Sequence, residues 1–349
     1  MKKVALLSGL LLLLGLGWLL FSPSALRAVA WTPAAAPAMT GVLSANTDLQ
    51  KAELLARGEI HGPEDIAFDA QGRLHAGLED GRVVRIENGK VLTLVNTGGR
   101  PLGLAFDAAG SLVICDSSKG LLKLSPDGQL STLVTAVDGV ALNFTDDLAI
   151  AGDGRIYFSD ASTKYRQPDY VVDLLEGRPY GRLYVYDPAT GEARLLLKDL
   201  YFANGVALSK NEDAVFVAET YRYRLRKLWL AGPKAGQVEI VADNLPGMPD
   251  NISSDGKGTI WIALPTPRKA IADVSAEHAW MRDLMFKLPR ALWPKPEKYG
   301  LAVAVDEKGR LLRSLHDPSG ENLRMITSVQ AQGGHLYFGS LSNDRIGRL

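Results

Sequence analysis

Leu245-Pro246-Gly247-Met248-Pro249-Asp250-Asn251-Ile252-Ser253-Ser254, followed by Gly258 and the β-rich run Thr259–Ala263, decides the fold, because it is one copy of a unit that recurs along the chain. Five other stretches align with Pro249–Ser254: Pro63-Glu64-Asp65-Ile66-Ala67-Phe68, Pro101-Leu102-Gly103-Leu104-Ala105-Phe106, Thr145-Asp146-Asp147-Leu148-Ala149-Ile150, Ala203-Asn204-Gly205-Val206-Ala207-Leu208 and, more loosely, Ile326-Thr327-Ser328-Val329-Gln330-Ala331. In four copies a glycine stands eight residues after the second position: Gly72, Gly110, Gly154 and Gly258. Glycine there supplies the positive φ of a tight hairpin. A strand follows each turn, over Arg73–Gly77, Ser111–Cys115, Arg155–Ser159, Ala214–Ala218, Thr259–Ala263 and His335–Gly339. Shorter strands come after, at Arg82–Ile86, Leu121–Leu124, Arg182–Tyr186 and Leu225–Leu230. Strand, glycine turn and strand, repeated at a period near about 40–50 residues, predict an all-β, six-bladed β-propeller. An α/β barrel would need amphipathic helices between the strands.

The second position of the unit reads Glu64, Leu102, Asp146, Asn204, Asp250 and Thr327. The innermost strand of each blade lines a central channel, so these side chains are expected to meet as a ring on the axis, with Asn251 able to turn inward beside Asp250. Three carboxylates brought together there repel one another and lose solvation. A divalent cation resolves the conflict, and an all-oxygen set of carboxylates and amides suits calcium better than zinc or copper. The alternative is a water-filled polar channel, with the acids solvated or paired to arginines.

Composition narrows the classes. Of 349 residues 46% are hydrophobic and 22% charged, with 39 Lys plus Arg against 39 Asp plus Glu. A chain of zero net charge lacks the basic footprint of nucleic-acid binding. Cys115 is alone, so no intrachain disulfide forms, and it reads as a core residue. Five scattered histidines, none at metal-ligand spacing, read as structural or surface residues and argue against zinc. The sequons at Asn143 and Asn251 read as accidental. Arg222, Arg224, Arg226 and Lys227 read as a solvated outer strand face, with anionic lipid contact as the alternative.

Lys2 and Lys3 precede Val4–Phe21, an uncharged run of 18 residues. It reaches the lower limit of a membrane-spanning helix, about 17–25 residues, and exceeds a usual signal-peptide core. Residues 1–30 are therefore expected to be a transmembrane anchor with the lysines cytoplasmic and the propeller on the non-cytoplasmic side. The alternative is a secreted chain, cut at the A-x-A pattern Ala28-Val29-Ala30. Residues 31–47 read as a linker and 48–349 as the propeller. Two intervals exceed the repeat: Lys164–Tyr180, placed between blades three and four, and an insertion over about 266–298 with helical apolar spacing around Glu277–Phe286. The latter reads either as a helix on the rim or as a lid or membrane-contacting helix over the axial pocket.

From about residue 48 onward the chain resembles the calcium-dependent propeller group of strictosidine synthase-like proteins, adipocyte plasma membrane-associated protein, gluconolactonase/regucalcin proteins and paraoxonases. The membrane-anchored, strictosidine synthase-like branch is the nearest. Gly62–Ala67, Phe144–Leu148 with Tyr157–Asp160, Tyr201–Val206, Leu245–Ile252 and Ser314–Gly320 carry the resemblance. It implies that Glu64, Asp146, Asn204, Asp250 and Asn251 take the places of the axial calcium ligands, although relatives usually have asparagine at the position of Asp146. Asp65 and Asp147 match positions that hold a second, structural calcium in paraoxonases; one axial ion is the expectation here. Where paraoxonases place a histidine at the entrance of blade two, this chain has Pro101-Leu102, which argues against a histidine mechanism. The resemblance implies a calcium-dependent hydrolase of small lactones or aryl esters, with Asp250 or Glu64 as general base. A non-catalytic, membrane-tethered scaffold and an amine–aldehyde condensing synthase are the alternatives, the latter requiring a pocket acid outside the ligand set.

Overall fold

The computed structural model describes residues 22–349, together with Gly15 and Gly17. Apart from those two glycines, the expected anchor Val4–Phe21 lies outside the described residues. Among the described residues no helix is long and apolar enough to cross a membrane.

Six four-stranded antiparallel sheets make a six-bladed propeller. The innermost strands are Ile66–Phe68, Pro101–Phe106, Thr145–Ile150, Ala203–Leu208, Ile252–Ser254 and Ile326–Gln332, each in contact with its neighbours and the last with the first. The second strands, Leu74–Gly77, Leu112–Asp116, Ile156–Asp160, Ala214–Glu219, Thr259–Ala263 and His335–Ser340, fall within a residue of their sequence-predicted bounds. The turn glycines Gly72, Gly110, Gly154 and Gly258 all have positive φ, 72–106°. A closure not read from the sequence completes the ring. Glu53–Leu55 is the outermost strand of blade six and pairs antiparallel with Ile346–Arg348, joining the two ends of the propeller chain.

Between blades the sheets pack face to face through apolar side chains. Val113, Cys115 and Leu121 of blade two meet Leu148, Ile156 and Phe158 of blade three. Phe216 and Leu225 of blade four meet Ile252, Ile260 and Val303 of blade five. Each such fully buried aliphatic or aromatic side chain contributes about 1.5–3 kcal/mol. Several strands end on a buried carboxylate that ties down a neighbouring loop: at the ends of second strands Asp160 accepts the Phe144 N–H at 2.7 Å and Glu219 that of Tyr201 at 2.9 Å, and at the end of the outermost strand of blade five Asp317 accepts those of Asn322 and Leu323.

One of the two long segments differs from expectation in place. Lys164–Tyr180 lies inside blade three, between Ile156–Asp160 and Gly181–Asp187, and holds helix α1, Tyr170–Glu176. The 266–298 insertion also links second and third strands, in blade five, and forms helices α2, Ala270–Glu277, and α3, Ala279–Lys287. The helical run breaks at His278, whose φ of −121° and ψ of 89° leave the α region. A second strand returns the chain to the end at which the innermost strand began. Both insertions therefore lie at the end bearing Glu64, Asp146 and Asp250, with α3 packed on α1 and α2.

Residues 31–47, expected as a linker, are instead held in place, as are those just before them. The Val29 N–H donates to Glu176 O at 3.0 Å and the Trp31 N–H to Ala276 O at 2.9 Å. Arg268 donates to Ala34 O, and Asn244 to Ala35 O. Leu26 is buried with Val172 and Leu175 of α1 and packs near Met285, Phe286 and Trp293. The segment is thus a strap joining both insertions, and composition alone did not reveal the apolar ledge it crosses.

Candidate metal centre

The side chains of the repeat column reach the axis through a local irregularity. In blades two, three, four and six the pairing register shifts at the second position, around Leu102, Asp146-Asp147, Asn204-Gly205 and Thr327. In blades one and five, Glu64 and Asp250 precede the paired residues of their strands. A bulge re-aims a side chain out of the pleat. Here it points the second residue of the unit along the channel instead of into the sheet face.

Small residues let the strands come this close. A Cβ on Gly205 would stand 2.3 Å from Ile252 N and 2.5 Å from Asp250 O, and one on Gly103 2.6 Å from Asp146 O. The spaces beside them are spanned by carboxylates from neighbouring blades. Asp65 accepts the Leu104 N–H at 2.9 Å, and Asp147 accepts those of Leu148 at 2.8 Å and Val206 at 2.7 Å. The two residues matched to a second ion thus hold backbone N–H groups. Both oxygens of Asp147 are engaged in this way.

Glu64, Asp146 and Asp250 come together: one carboxylate oxygen from each lies within 4.8 Å of the others. Among the described residues this is the group of carboxylates or other ligating side chains close enough to hold a metal. Glu64 and Asp146 are buried and Asp250 is half-buried at the cavity floor. Burial, then the charges of Asp250 and Asp146, push the Glu64 carboxyl well above its ordinary range, although Arg100 opposes them. Burial and the Asp250 charge do the same to Asp146. Burial raises Asp250 to about 7 against the pull of the Asn204 amide. Arg100 is buried nearby but forms no ion pair with Glu64, so pairing to arginine does not relieve the carboxylates.

The donor set fits a hard cation. Glu64 Oε2 and Asn204 Oδ1, both at the cavity floor, are buried oxygens with no hydrogen-bond partner, a costly state unless something positive faces them; Asn251 does not line the cavity, and both its amide oxygen and its amide nitrogen are unpaired. Thr327 departs from the column, since its hydroxyl donates to the Glu64 carbonyl at 2.7 Å and ties blade six to blade one. Leu102 instead joins an apolar wall.

Above the carboxylates opens a cavity of about 260 Å³. Leu102, Phe144, Phe202, Tyr221, Met285 and Trp293 are among its walls, with Phe202 stacked on Tyr221 at 4.7 Å between centroids. The insertion lines it from α2 to Pro296, which agrees with the lid reading over the rim reading. The sequence did not mark Trp31, Tyr170 or Arg222 as cavity residues: Trp31 stood in the supposed linker, Tyr170 in an over-long interval and Arg222 in the basic strand. The basic strand also needs correction. Arg222 sits in a turn at the cavity, Lys227 is buried against the Trp229 ring at 3.9 Å, and Arg224 pairs with Glu219. Alternation along the sequence suggested one solvated face, but a 3₁₀ turn over Thr220–Arg222 breaks the strand periodicity.

The other conspicuous residues have local roles. His316 is buried between Tyr299 Oη and Ser314 Oγ, each at 2.8 Å, and Cys115 is enclosed in the blade core. Asn143 donates to Thr163 O at 2.7 Å, and Asn251 is 3% exposed.

Comparison with known proteins agrees with this architecture. The family described as Strictosidine synthase matches residues 146–233, and Strictosidine synthase-like, N-terminal, matches residues 41–86. The human adipocyte plasma membrane-associated protein is 36% identical over 337 residues, covering 90% of this chain and 81% of its own. Among solved structures, a gluconolactonase from Xanthomonas campestris superposes with a TM-score of 0.64 at 21% identity, over 94% of this chain and 98% of its own. The calcium-binding protein regucalcin from Agrobacterium tumefaciens gives 0.60 at 14%, over 85% and 90%. These two share the fold. With the repeat, the axial carboxylates and an identity of 36% along nearly the whole propeller, the chain belongs to the strictosidine synthase-like family of six-bladed propellers that includes the adipocyte plasma membrane-associated proteins.

Proposed function

We propose that this protein is a calcium-dependent hydrolase of lactones or aryl esters, with Glu64, Asp146, Asn204, Asp250 and Asn251 as the residues that would hold the ion. One observation carries the reading: three carboxylates gathered within 4.8 Å at the floor of a largely apolar cavity. When bound, calcium supplies the missing positive charge and a Lewis acid for a carbonyl oxygen. The remaining work falls to the chain. The aromatic wall of Phe144, Phe202 and Tyr221 takes up an aryl or acyl group and excludes water from around it. In this reading Asp250, half-buried at the cavity floor with the Asn204 amide beside it, takes a proton from water, and Glu64 is the alternative base. The described lining carries no carboxylate beyond the three, which disfavours the condensing synthase and its need for a further acid.

Hydrolysis of phenyl acetate and of a series of lactones, with and without chelator, tests the reading. Chelation and Asp250→Ala should each abolish turnover, while Glu64→Ala should also lower the melting temperature. Equal rates in wild type and Asp250→Ala would leave a calcium-stabilised scaffold as the function. The apolar run Val4–Phe21 and the relatives' plasma-membrane name support a membrane-held protein, and Lys2 and Lys3 ahead of the run favour a propeller on the non-cytoplasmic side. Retention in the membrane pellet after alkaline extraction is the expected result, and release would favour cleavage near Ala30.

A further inference from the structure

The cavity separates its charges. Its floor carries Glu64, Asp146 and Asp250, whereas the elements that cover it bring in Arg222, Lys269, Arg282 and Lys295. Among the described residues, none of these four cations has a carboxylate oxygen within 4.0 Å. Two of them converge. Arg222 Nη2 donates to Gly177 O at 3.4 Å, and Arg282 Nη1 lies 2.6 Å from where a Cβ on Gly177 would stand.

Arg282 is 4% exposed, donates through Nη2 to the carbonyls of Val29 and Ala276, and leaves its Nε without a partner. Burial lowers its pKa with no neighbouring carboxylate to oppose it. Arg222 lies over the rings of Trp31, at 4.2 Å, and Tyr201, at 3.5 Å, and donates to Tyr221 O at 3.0 Å. Aromatic faces and carbonyls hold a guanidinium in place, but they do not neutralise it. Among the described residues, nearby negative charge is limited to the carbonyl end of the short helix α1, about half a charge at most, and to Glu219, which acts on Arg222 from beyond ion-pair distance and is already paired with Arg224. With two rings against it, Arg222 can offer a ligand only the edge N–H groups that the Tyr221 and Gly177 carbonyls leave, and a guanidinium edge matches a planar carboxylate.

We propose that Arg222 and Arg282 form an anion subsite beside Gly177, so that the substrate is an ester or lactone bearing a carboxylate remote from its reacting carbonyl. The proposal deepens the hydrolase reading and rests on it for the identity of the reacting group.

Two paired probes test it on the calcium-loaded full chain. 4-Acetoxybenzoate and its methyl ester report turnover; 4-hydroxybenzoate and its methyl ester report binding by calorimetry. The carboxylate member of each pair should be favoured roughly ten- to a hundredfold at low salt, as expected for charge-assisted hydrogen bonds. Arg222→Gln should collapse that ratio, and Arg222→Lys, which keeps the charge without the fork, should retain part of it. A purely structural arginine would lower both members of a pair alike and leave the ratio unmoved. A carboxylate drawn to the calcium itself would keep its preference in Arg222→Gln. Either result overturns the subsite, as does failure of the wild type to distinguish or to bind the calorimetric probes. Selective, Arg222-dependent binding without turnover would support the subsite and remove the hydrolase reading instead.

Discussion

Glu64, Asp146 and Asp250 repel one another, and each is partly or wholly out of water, so their protonation should govern the calcium-free protein. Asp250 is raised from 3.8 to about 7 by burial. Below pH 3.8 the folded and unfolded chains both carry its proton. Between there and 7 the folded chain retains a proton that the unfolded chain releases, so stability falls as pH rises. Asp65 and Asp160, also raised to about 7, act in the same direction. In chelator, the melting temperature should therefore decline from pH 5 to pH 8. Saturating calcium should flatten or reverse the decline, because only the deprotonated carboxylates bind it. A decline unchanged by calcium, followed by scanning calorimetry, would mean that Glu64, Asp146 and Asp250 do not meet a metal. A second outcome belongs to Asp146 alone. Asp146→Asn keeps an oxygen at the site and removes one of the repelling charges, so it should raise the melting temperature in chelator and weaken calcium binding on the order of tenfold. Calorimetric titration measures the affinity.

At the scale of strands and straps, the readable and unreadable parts of this chain separate on physical grounds. The axial column was readable because a bulge changes where a side chain points without changing its place in the repeat. The bulges themselves were not, since nothing in Thr145-Asp146-Asp147-Leu148 distinguishes regular pairing from a shifted register. Gly205 shows how tightly the bulge is built. A methyl group there would meet Ile252 N at 2.3 Å, and backbone cannot rotate away as a side chain can. Gly205→Ala should cost about 1–3 kcal/mol, read as a lower urea midpoint at unchanged slope, with weaker calcium binding because Asn204 and Asp250 flank the strained contact. The strap was hidden for another reason. Its alanines and prolines have a linker's composition, and the large side chains that meet the insertions, Leu26 and Trp31, are few. A chain beginning at Thr40 keeps the propeller but loses the strap. It should bind more of a hydrophobic dye than one beginning at Ser22 while retaining calcium; identical dye binding would show that the strap does not cover the apolar ledge.

For the whole molecule, the ion site and the ring closure are one problem. The proposed ligands come from blades one, three, four and five, and no single blade supplies enough oxygen atoms to hold the ion. They are gathered only while the ring is shut, and it is shut by the three-residue strand Glu53–Leu55 on Ile346–Arg348, together with the blade-six hydroxyl of Thr327 on the Glu64 carbonyl. Closing so long a loop costs entropy that a short strand only partly offsets. Leu49, fully buried beside Leu323 and Phe338, adds an apolar contact to the same seam. Ring closure and calcium binding should therefore stabilise each other by the same free energy in either direction. A chain beginning at Ala56 lacks Leu49 and the closing strand yet keeps every proposed ligand. Its calcium affinity should fall by at least about tenfold, the equivalent of 1.4 kcal/mol of lost coupling, and calcium should restore part of its melting temperature. Calorimetric titration beside chains beginning at Thr40 and at Thr47 separates the effect, because the second keeps Leu49 and the closing strand but lacks Leu43 and Asn46, which pack on blades four and five. Equal affinities would mean that the inner strands gather the ligands without the closure, and that the ion staples the blades independently of the chain ends.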